Sequence, residues 1–105
     1  MEFTVDFLEL FFKGVMLFYQ IIVFLSLVIV LLGQIAGRLE KWTRFDALYW
    51  SLITALTIGY GDMRPVRRIT RVFSIIIGLT GIILTGILVT ISVQAASRAY
   101  GIHVL

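Results

Sequence analysis

The stretch TALTIGYGDMRP, residues 54–65, lies between the two most apolar segments of this 105-residue chain. Residues 14–37 and residues 72–97 contain no charged side chain. Each run is longer than the roughly 20 residues that a helix needs to cross a hydrocarbon core of about 30 Å. A mean hydropathy of +1.04 and 60% hydrophobic residues also exceed the range of soluble domains. The composition predicts an integral membrane protein with two spanning helices and a glycine-containing turn between them.

Several other classes of protein fit this sequence poorly. A secretory signal peptide does not explain the first apolar run, because the leading MEFTVDFLEL is acidic and the run is too long. The absence of cysteine excludes disulfides and thiolate metal sites. No acid, base, nucleophile or metal cluster lies at a common depth, which argues against an enzyme. The single histidine, His103, is interpreted as a solvated tail residue.

The N-terminal residues carry charges with a helical period. Four charged side chains recur at steps of three or four, namely Glu2, Asp6, Glu9 and Lys13. This spacing predicts an interfacial amphipathic helix over 1–13, or alternatively an extension of the first span. An outer helix is predicted to follow over 14–37, where Gly37 suits a helix C-terminus.

A short helix is predicted before the glycine turn. Thr43 and Asp46 have the spacing of a capping box, so the helix should run over 44–56, and its residues 45–56 alone are about 18 Å long. Residues 57–61, if extended, return about 16 Å. The length of the helix is close to the length of the extended residues that follow it. This match predicts a segment that enters the bilayer and returns to the same side.

The glycines of the turn suggest why lipid tolerates it. Gly59 and Gly61 lack a Cβ and can take positive φ in alternation with their neighbours, so that successive carbonyl oxygens point the same way. Exposed carbonyls at membrane depth are costly unless a partner such as a dehydrated cation coordinates them. One strand supplies too few oxygens, whereas four around a symmetry axis complete square rings.

The segment TIGYGD, Thr57–Asp62, resembles the selectivity filter of potassium channels, specifically the two-transmembrane bacterial type, where Thr-Val-Gly-Tyr-Gly-Asp is commonest. The resemblance covers nearly the whole chain as one pore domain, 1–105. It implies an all-α membrane protein with an outer helix, a re-entrant pore helix, a filter over 57–62 and an inner helix over 68–98, assembled as a four-fold tetramer. It further implies a multi-pass homotetramer in the lipid of a prokaryotic inner or plasma membrane, with no nucleic-acid partner.

The resemblance also assigns residues to roles. K+, the permeant and structural ion, would bind the carbonyls of Thr57, Ile58, Gly59 and Tyr60 together with the Thr57 hydroxyl, and Gly61 completes the filter. Tyr49 and Trp50 resemble an aromatic cuff, in which Tyr49 bonds the Asp62 carboxylate and Trp50 bonds the Tyr60 hydroxyl. An interfacial aromatic belt is the alternative for this pair.

Two positions depart from the best-known family pattern. Ile53 stands where some members carry a glutamate behind the filter, and Leu56 replaces a frequent hydroxyl residue. Any filter inactivation that depends on that acid is therefore left open.

The inner helix contains three glycines that favour different interpretations. Close helix packing is the general explanation for small residues in a span, and it is preferred for Gly78. By the resemblance, Gly81 occupies the usual position of a gating hinge and Gly86 that of a small residue where neighbouring helices approach. Helical spacing places further pore-facing candidates on one side, with Val93 as the intracellular constriction: Ile82, Thr85, Val89 and Val93. Thr85 and Thr90 could wet the cavity.

The charges conflict with this topology. Seven of the nine Lys and Arg residues fall within 38–71, which leaves only Lys13 and Arg98 for both tails. The positive-inside rule alone would place the 38–71 loop in the cytoplasm. The resemblance places it outside, and this orientation is preferred because the filter motif is the more specific signal.

Three functions remain open at this point. The leading one is passive K+ conduction with a gate at the inner helix. The alternatives are a weakly selective cation channel and a regulatory membrane subunit that conducts nothing. We expect either a minimal pore or a pore excised from a longer subunit with a C-terminal ligand-binding domain, and the gating stimulus is undetermined.

Overall fold

A computed structural model describes residues 2–104, except for the side chain of Val104. It contains four α-helices: α1 (Phe3–Leu17), α2 (Tyr19–Glu40), α3 (Arg44–Ala55) and α4 (Arg68–Val104). No strand occurs within residues 2–104. The helices α2 and α4 are long and apolar enough to span a membrane. This is the predicted all-α membrane fold with two spanning helices.

The first helix ends later than predicted. Instead of a boundary at residues 13 and 14, the chain bends at Phe18 (φ −101°, ψ 11°), between α1 and α2. The charge pattern marked the start of the apolar run, whereas the backbone continues as a helix for another turn. The 14–37 boundary of the outer helix is therefore wrong at both ends, since α2 runs from Tyr19 to Glu40.

Two glycines of α2, Gly33 and Gly37, allow this helix to pack closely against α3. A Cβ on Gly33 would lie 2.5 Å from the Ser51 Cβ, and a Cβ on Gly37 would lie 2.5 Å from the Ala47 Cβ. Small residues four apart on both helices thus let the two backbones approach closely. Gly37 is a packing residue, which corrects its interpretation as the C-terminus of the helix.

The helix α2 ends instead at a left-handed Lys41 (φ 62°, ψ 35°). The Trp42 amide donates to the Gly37 carbonyl at 2.8 Å, and the Lys41 amide donates to the Arg38 carbonyl at 3.4 Å. This is the hydrogen-bond pattern of a Schellman motif, in which a glycine usually holds the left-handed position. Trp42 is then turned onto Trp50 of α3, with ring centroids 5.2 Å apart.

The short helix α3 begins where its cap predicts. The Thr43 hydroxyl accepts a 3.1 Å hydrogen bond from the Asp46 amide, which confirms Thr43 as the N-cap. The helix ends at Ala55, one residue before the predicted end, with Leu56 as its C-cap. Its packed face contains Ala47, Trp50 and Ser51, which are all buried.

The last helix is longer than the predicted 68–98 and continues to Val104. The carboxylate of Glu40, at the end of α2, accepts hydrogen bonds from the Val66 amide at 2.9 Å and the Arg67 amide at 3.0 Å. These amides immediately precede α4, so Glu40 caps the approach to this helix and links the ends of both spans.

The far end of α4 packs against α1. The His103 Nε2 lies 2.7 Å from the Asp6 Oδ2, and the His103 ring meets the Phe3 ring edge-on. Nearer the membrane, a Cβ on Gly14 would lie 2.6 Å from the Ile91 Cγ2. These contacts explain why α4 continues past residue 98. His103 is exposed, as its interpretation as a solvated tail residue expected, but its ring also contacts α1, and Asp6 turns toward α4.

Candidate functional site

The backbone of the predicted filter alternates in conformation. Thr57 (φ 61°), Gly59 (φ 57°) and Gly61 (φ 83°) lie in the left-handed region, while Ile58 and Tyr60 do not. Glycine adopts this region readily, and it costs Thr57 roughly 1–2 kcal/mol. The alternation predicted for the two glycines is present, and it includes a third position that the sequence did not indicate.

The amide side of this ribbon is anchored to the end of α3. The Ile58 amide donates to the Ile53 carbonyl at 2.9 Å, the Gly59 amide donates to the same oxygen at 3.3 Å, and the Thr57 amide donates to the Thr54 carbonyl at 3.2 Å. Ile53, which stands where some family members carry an acid, therefore contributes through its backbone.

The carbonyl oxygens of residues 57–60 have no hydrogen-bond donors in the part of their own chain that the structure describes. Within residues 2–104, no hydrogen-bond donor reaches the carbonyl oxygens of residues 57–60. The Thr57 hydroxyl donates to the Leu56 carbonyl at 2.6 Å, which leaves its lone pairs available. Four consecutive carbonyl oxygens thus remain as free acceptors, the ligand type that hard cations prefer.

The far end of the filter is tied to α3 by an aromatic side chain. The Tyr49 hydroxyl donates a 3.0 Å hydrogen bond to the Asp62 Oδ2. This contact raises the pKa of Tyr49, since the carboxylate favours the protonated phenol. The structure therefore brings together Tyr49 and Asp62, the two residues that the resemblance paired.

The other predicted pair does not meet within one chain. Trp50 is 3% exposed and packs against Trp42, whereas Tyr60 is 71% exposed. No hydrogen bond joins the Trp50 indole to the Tyr60 hydroxyl among the residues that the structure describes. The structure therefore does not bring Trp50 and Tyr60 together.

One residue at the filter mouth was missed as a direct contact. The Arg64 Nε donates to the Gly61 carbonyl at 3.2 Å, so the outermost carbonyl of the predicted filter is hydrogen-bonded to a guanidinium. The sequence indicated only that Arg64 belongs to a basic outer vestibule. The contact could have been predicted from the spacing, because a turn brings the side chain of a residue three positions after Gly61 back to the Gly61 carbonyl.

The glycines of α4 have different surroundings. A Cβ on Gly81 would collide with the carbonyl oxygen of Ala55 at the end of α3, whereas Gly78 and Gly86 have no such neighbour within 4 Å. Gly81 therefore lets the inner helix touch the end of the pore helix. The packing expected at Gly78 is not made within this chain.

The pore-facing candidates share an uncovered face of α4. Ile82, Val89 and Val93 are more than half exposed, and Thr85, Gly86 and Thr90 are also exposed. Ile77, Gly81, Ile91, Ala95 and Ala99 are buried on the opposite side against the other helices. The fold thus leaves Ile82, Thr85, Val89 and Val93 exposed, whereas Thr90 borders a groove between α4 and α1.

Comparisons with known proteins give a consistent family. The model of a family described as "Ion channel" matches residues 10–98. The chain is 34% identical over 88 residues to the putative potassium channel protein YugO of Bacillus subtilis, covering 80% of this chain and 27% of that protein. It is 53% identical over 38 residues to a voltage-gated potassium channel of Aeropyrum pernix, covering 36% of this chain and 13% of the relative.

A third relative is more distant in origin. The chain is 46% identical over 35 residues to the TWiK family of potassium channels protein 7 of Caenorhabditis elegans, covering 33% of this chain and 6% of that protein. The chain spans less than a third of the length of each of these relatives. No solved structure matches it significantly. The family model spans residues 10–98, which include α2, α3, residues 57–62 and most of α4. This protein therefore belongs to the ion channel family.

Proposed function

We propose that this chain is one quarter of a potassium-selective channel, which conducts K+ passively through four copies of the filter 57–62. The observation that carries the proposal is the hydrogen bonding of the filter backbone. Its amides are bonded to the end of α3, while the carbonyls of residues 57–60 have no donor within the described chain. Uncompensated carbonyls in a membrane protein are costly unless ions coordinate them.

A homotetramer follows from the number of oxygens. One ribbon offers a single oxygen at each level, and a dehydrated K+ needs a ring of them. Cyclic symmetry around the exposed carbonyl column supplies four identical ligands. Tyr60 is exposed and free to contact a neighbouring subunit, whereas Trp50 is buried within its own chain, so the Trp50–Tyr60 bond rests on the family resemblance alone.

Potassium is preferred over a weakly selective pore for two reasons. Tyr60 is present in the filter and Tyr49 braces its outer end through Asp62. The relatives of Bacillus, Aeropyrum and Caenorhabditis are all described as potassium channels. In the proposed channel, K+ both permeates and holds the four ribbons apart.

The proposed gate lies on the uncovered face of α4. Thr85 and Val89 would line the cavity, and Val93 would form the constriction, where a hydrophobic ring can close by dewetting. Gly81 and Gly86 would allow the lower part of α4 to move. Gly81 contacts the backbone of Ala55, so the proposed hinge would lie beside the end of α3.

The proposed channel is a multi-pass protein of a prokaryotic inner membrane, with the 38–71 segment outside. The similarity to the Bacillus protein supports this assignment. The seven basic residues of the segment oppose it by the positive-inside rule. Thiol labelling of a single cysteine introduced at Val66 in intact cells tests it directly, because the native chain has no cysteine.

The decisive experiment compares K+ and Na+ flux in proteoliposomes, with barium as the blocker. Gly59→Ala is the test variant and Gly78→Ala its control, because neither position has a neighbour within 4 Å but only Gly59 has positive φ. The wild type and Gly78→Ala should pass K+ and exclude Na+, whereas Gly59→Ala should lose selectivity or flux. Equal K+ and Na+ flux would support the weakly selective alternative, and no flux with a monomeric protein would support the regulatory one.

A further inference from the structure

Trp42 lies in the turn of residues 41–43 between α2 and α3, outside the proposed filter, cavity and gate. Its ring meets the Trp50 ring of α3, with the centroids 5.2 Å apart and the planes tilted by 54°. Trp50 is only 3% exposed, and Trp42 is half-buried against the hydrophobic cluster to which Trp50 belongs. Aromatic pairs at this distance stabilise each other beyond the area that they bury. Trp42 therefore contributes to the burial of Trp50.

The backbone of the turn sets the position of Trp42. Lys41 adopts a left-handed φ of 62°, and the Trp42 amide donates to the Gly37 carbonyl at 2.8 Å. Thr43 follows as the N-cap of α3. Trp42 is thus held between the end of one helix and the cap of the next, with its ring against Trp50.

The helical turn that begins at Trp50 holds the first residues of the filter. The Trp50 carbonyl accepts a 2.7 Å hydrogen bond from the Thr54 hydroxyl. The Thr54 carbonyl in turn accepts the Thr57 amide at 3.2 Å, and the Ile53 carbonyl accepts the next two filter amides. A displacement of Trp50 would therefore move the oxygens to which these filter amides are bonded.

The residue before Trp50 holds the other end of the filter. Tyr49 donates to the Asp62 carboxylate at 3.0 Å. Adjacent residues of a helix lie about 100° apart around its axis, so a rotation of α3 that moves Trp50 also moves Tyr49. Trp50 is the largest of the buried side chains of α3, and its contact with Trp42 opposes such a rotation. The Trp42–Trp50 pair thus affects both ends of the filter.

We propose that Trp42 is a positioning residue for K+ selectivity, which acts through Trp50 and keeps α3 in the rotation that the filter requires. The selectivity rests on the proposed function, whereas the contact between the two rings does not. Trp42 also borders a groove of about 550 Å³ between α2 and α3. Without the Trp42 ring, this groove would extend toward Trp50 and give α3 room to turn. The bonds of α3 to the filter amides and to Asp62 would then weaken together.

The functional test compares K+ and Na+ flux of the full chain in proteoliposomes. Trp42→Leu removes the aromatic ring, and Trp42→Phe keeps a smaller one. Phe73→Leu is the matched control, because Phe73 of α4 is also half-buried against the same cluster but lies outside α3 and its turn. Thermal unfolding is measured for each variant, and flux is compared at a temperature at which all are folded. Trp42→Met replaces Trp42→Leu if the latter does not fold.

We expect Trp42→Leu to lower the ratio of K+ to Na+ flux by about fivefold, the factor that corresponds to a typical aromatic pair. Trp42→Phe should restore most of the ratio, because it keeps an aromatic contact with Trp50. Phe73→Leu should lower the unfolding temperature but leave the ratio unchanged. A merely structural role of Trp42 would lower the unfolding temperature in both Leu variants and change the flux ratio in neither.

A second measurement needs no flux, because Trp42 and Trp50 are the only tryptophans of the chain. Any substitution of Trp42 leaves Trp50 as the single tryptophan emitter. Its quenching by acrylamide should be stronger, and its anisotropy lower, in Trp42→Leu than in Trp42→Phe. The double variant Trp42→Phe/Phe73→Leu is the control and should behave as Trp42→Phe does.

Three results would overturn the positioning role. They are an unchanged flux ratio in Trp42→Leu, an equal loss of the ratio in Phe73→Leu, and equal quenching of Trp50 in Trp42→Leu and Trp42→Phe. If the wild type passes K+ and Na+ alike, the channel proposal fails, and the quenching comparison then decides whether Trp42 positions Trp50.

Discussion

The hydroxyl of Tyr49 donates a 3.0 Å hydrogen bond to the carboxylate of Asp62, and this bond connects the pore helix to the outer end of the filter. Tyr49 lies within α3, whereas Asp62 follows the proposed filter residues. Between them lie three left-handed residues and the carbonyls of residues 57–60, which no donor within residues 2–104 reaches. Such a ribbon depends on bonds at both of its ends to keep its shape.

Removing this bond should loosen the filter. Tyr49→Phe keeps the ring packing but cannot donate to Asp62, so we expect K+ flux to persist with a lower K+ over Na+ preference in proteoliposomes. Tyr19→Phe is the control, because Tyr19 is half exposed at the start of α2 and far from the filter. Unchanged selectivity in Tyr49→Phe would remove Tyr49 from filter support.

The arginine at the filter mouth should limit conduction. Arg64→Gln removes the charge next to the Gly61 carbonyl, so single-channel conductance should rise at low salt. The gain should shrink near 1 M KCl, where the screening length is only about 3 Å. Arg71→Gln, which contacts the Pro65 carbonyl instead, is the control. An equal gain in both variants would indicate a general surface charge effect.

A methyl group at Gly81 should disrupt packing. Gly81→Ala collides with the backbone of Ala55, and overpacking of this kind costs about 1–3 kcal/mol. Gly78→Ala meets open space in the same helix and should be neutral or stabilising by up to about 1 kcal/mol. Thermal unfolding of the solubilised protein compares the two. If both variants unfold alike, the close contact is not what requires glycine at this position.

The proposed constriction makes a separate prediction. Val93 is 56% exposed on the uncovered face of α4, and Val93→Ala would thin a hydrophobic ring there. We expect a higher open probability in reconstituted channels, because a wider ring dewets less readily. Val72→Ala, near the other end of α4, is the control. No change in Val93→Ala would exclude this residue from the gate.

The contact between the ends of the chain can be tested by distance. Asp6→Asn weakens the pairing with His103, so α1 should separate from the end of α4 more often. Spin labels at Thr4 and Tyr100, both exposed, should then show a broader distance distribution than in the otherwise unchanged protein. Glu9→Gln alters an exposed i, i+4 pair and is the control. An identical distribution in Asp6→Asn would show that apolar contacts alone hold the helices.

The features that were predicted correctly are those that depend on residues close to one another in the sequence. The uncharged runs indicate α2 and α4, the spacing of Thr43 and Asp46 indicates the start of α3, and the glycines of TIGYGD indicate alternating backbone. Each of these signals lies within a few residues of what it predicts. The predicted ends at residues 13 and 37 followed charge and glycine, and the end at 98 followed the family resemblance; all three were wrong, while the end at 56 was one residue too late.

The sequence by itself thus determined a membrane protein with two spans, a capped short helix and a filter ribbon, because hydropathy, capping and glycine conformation act between neighbours in the chain. Only the tertiary structure decided that Gly33 and Gly37 seat α2 on α3, that Arg64 reaches the Gly61 carbonyl, and that Asp6 meets His103. It alone also brought Lys13 to the same groove as Arg98. Such contacts depend on how helices cross in space, and no spacing along the chain encodes that distance.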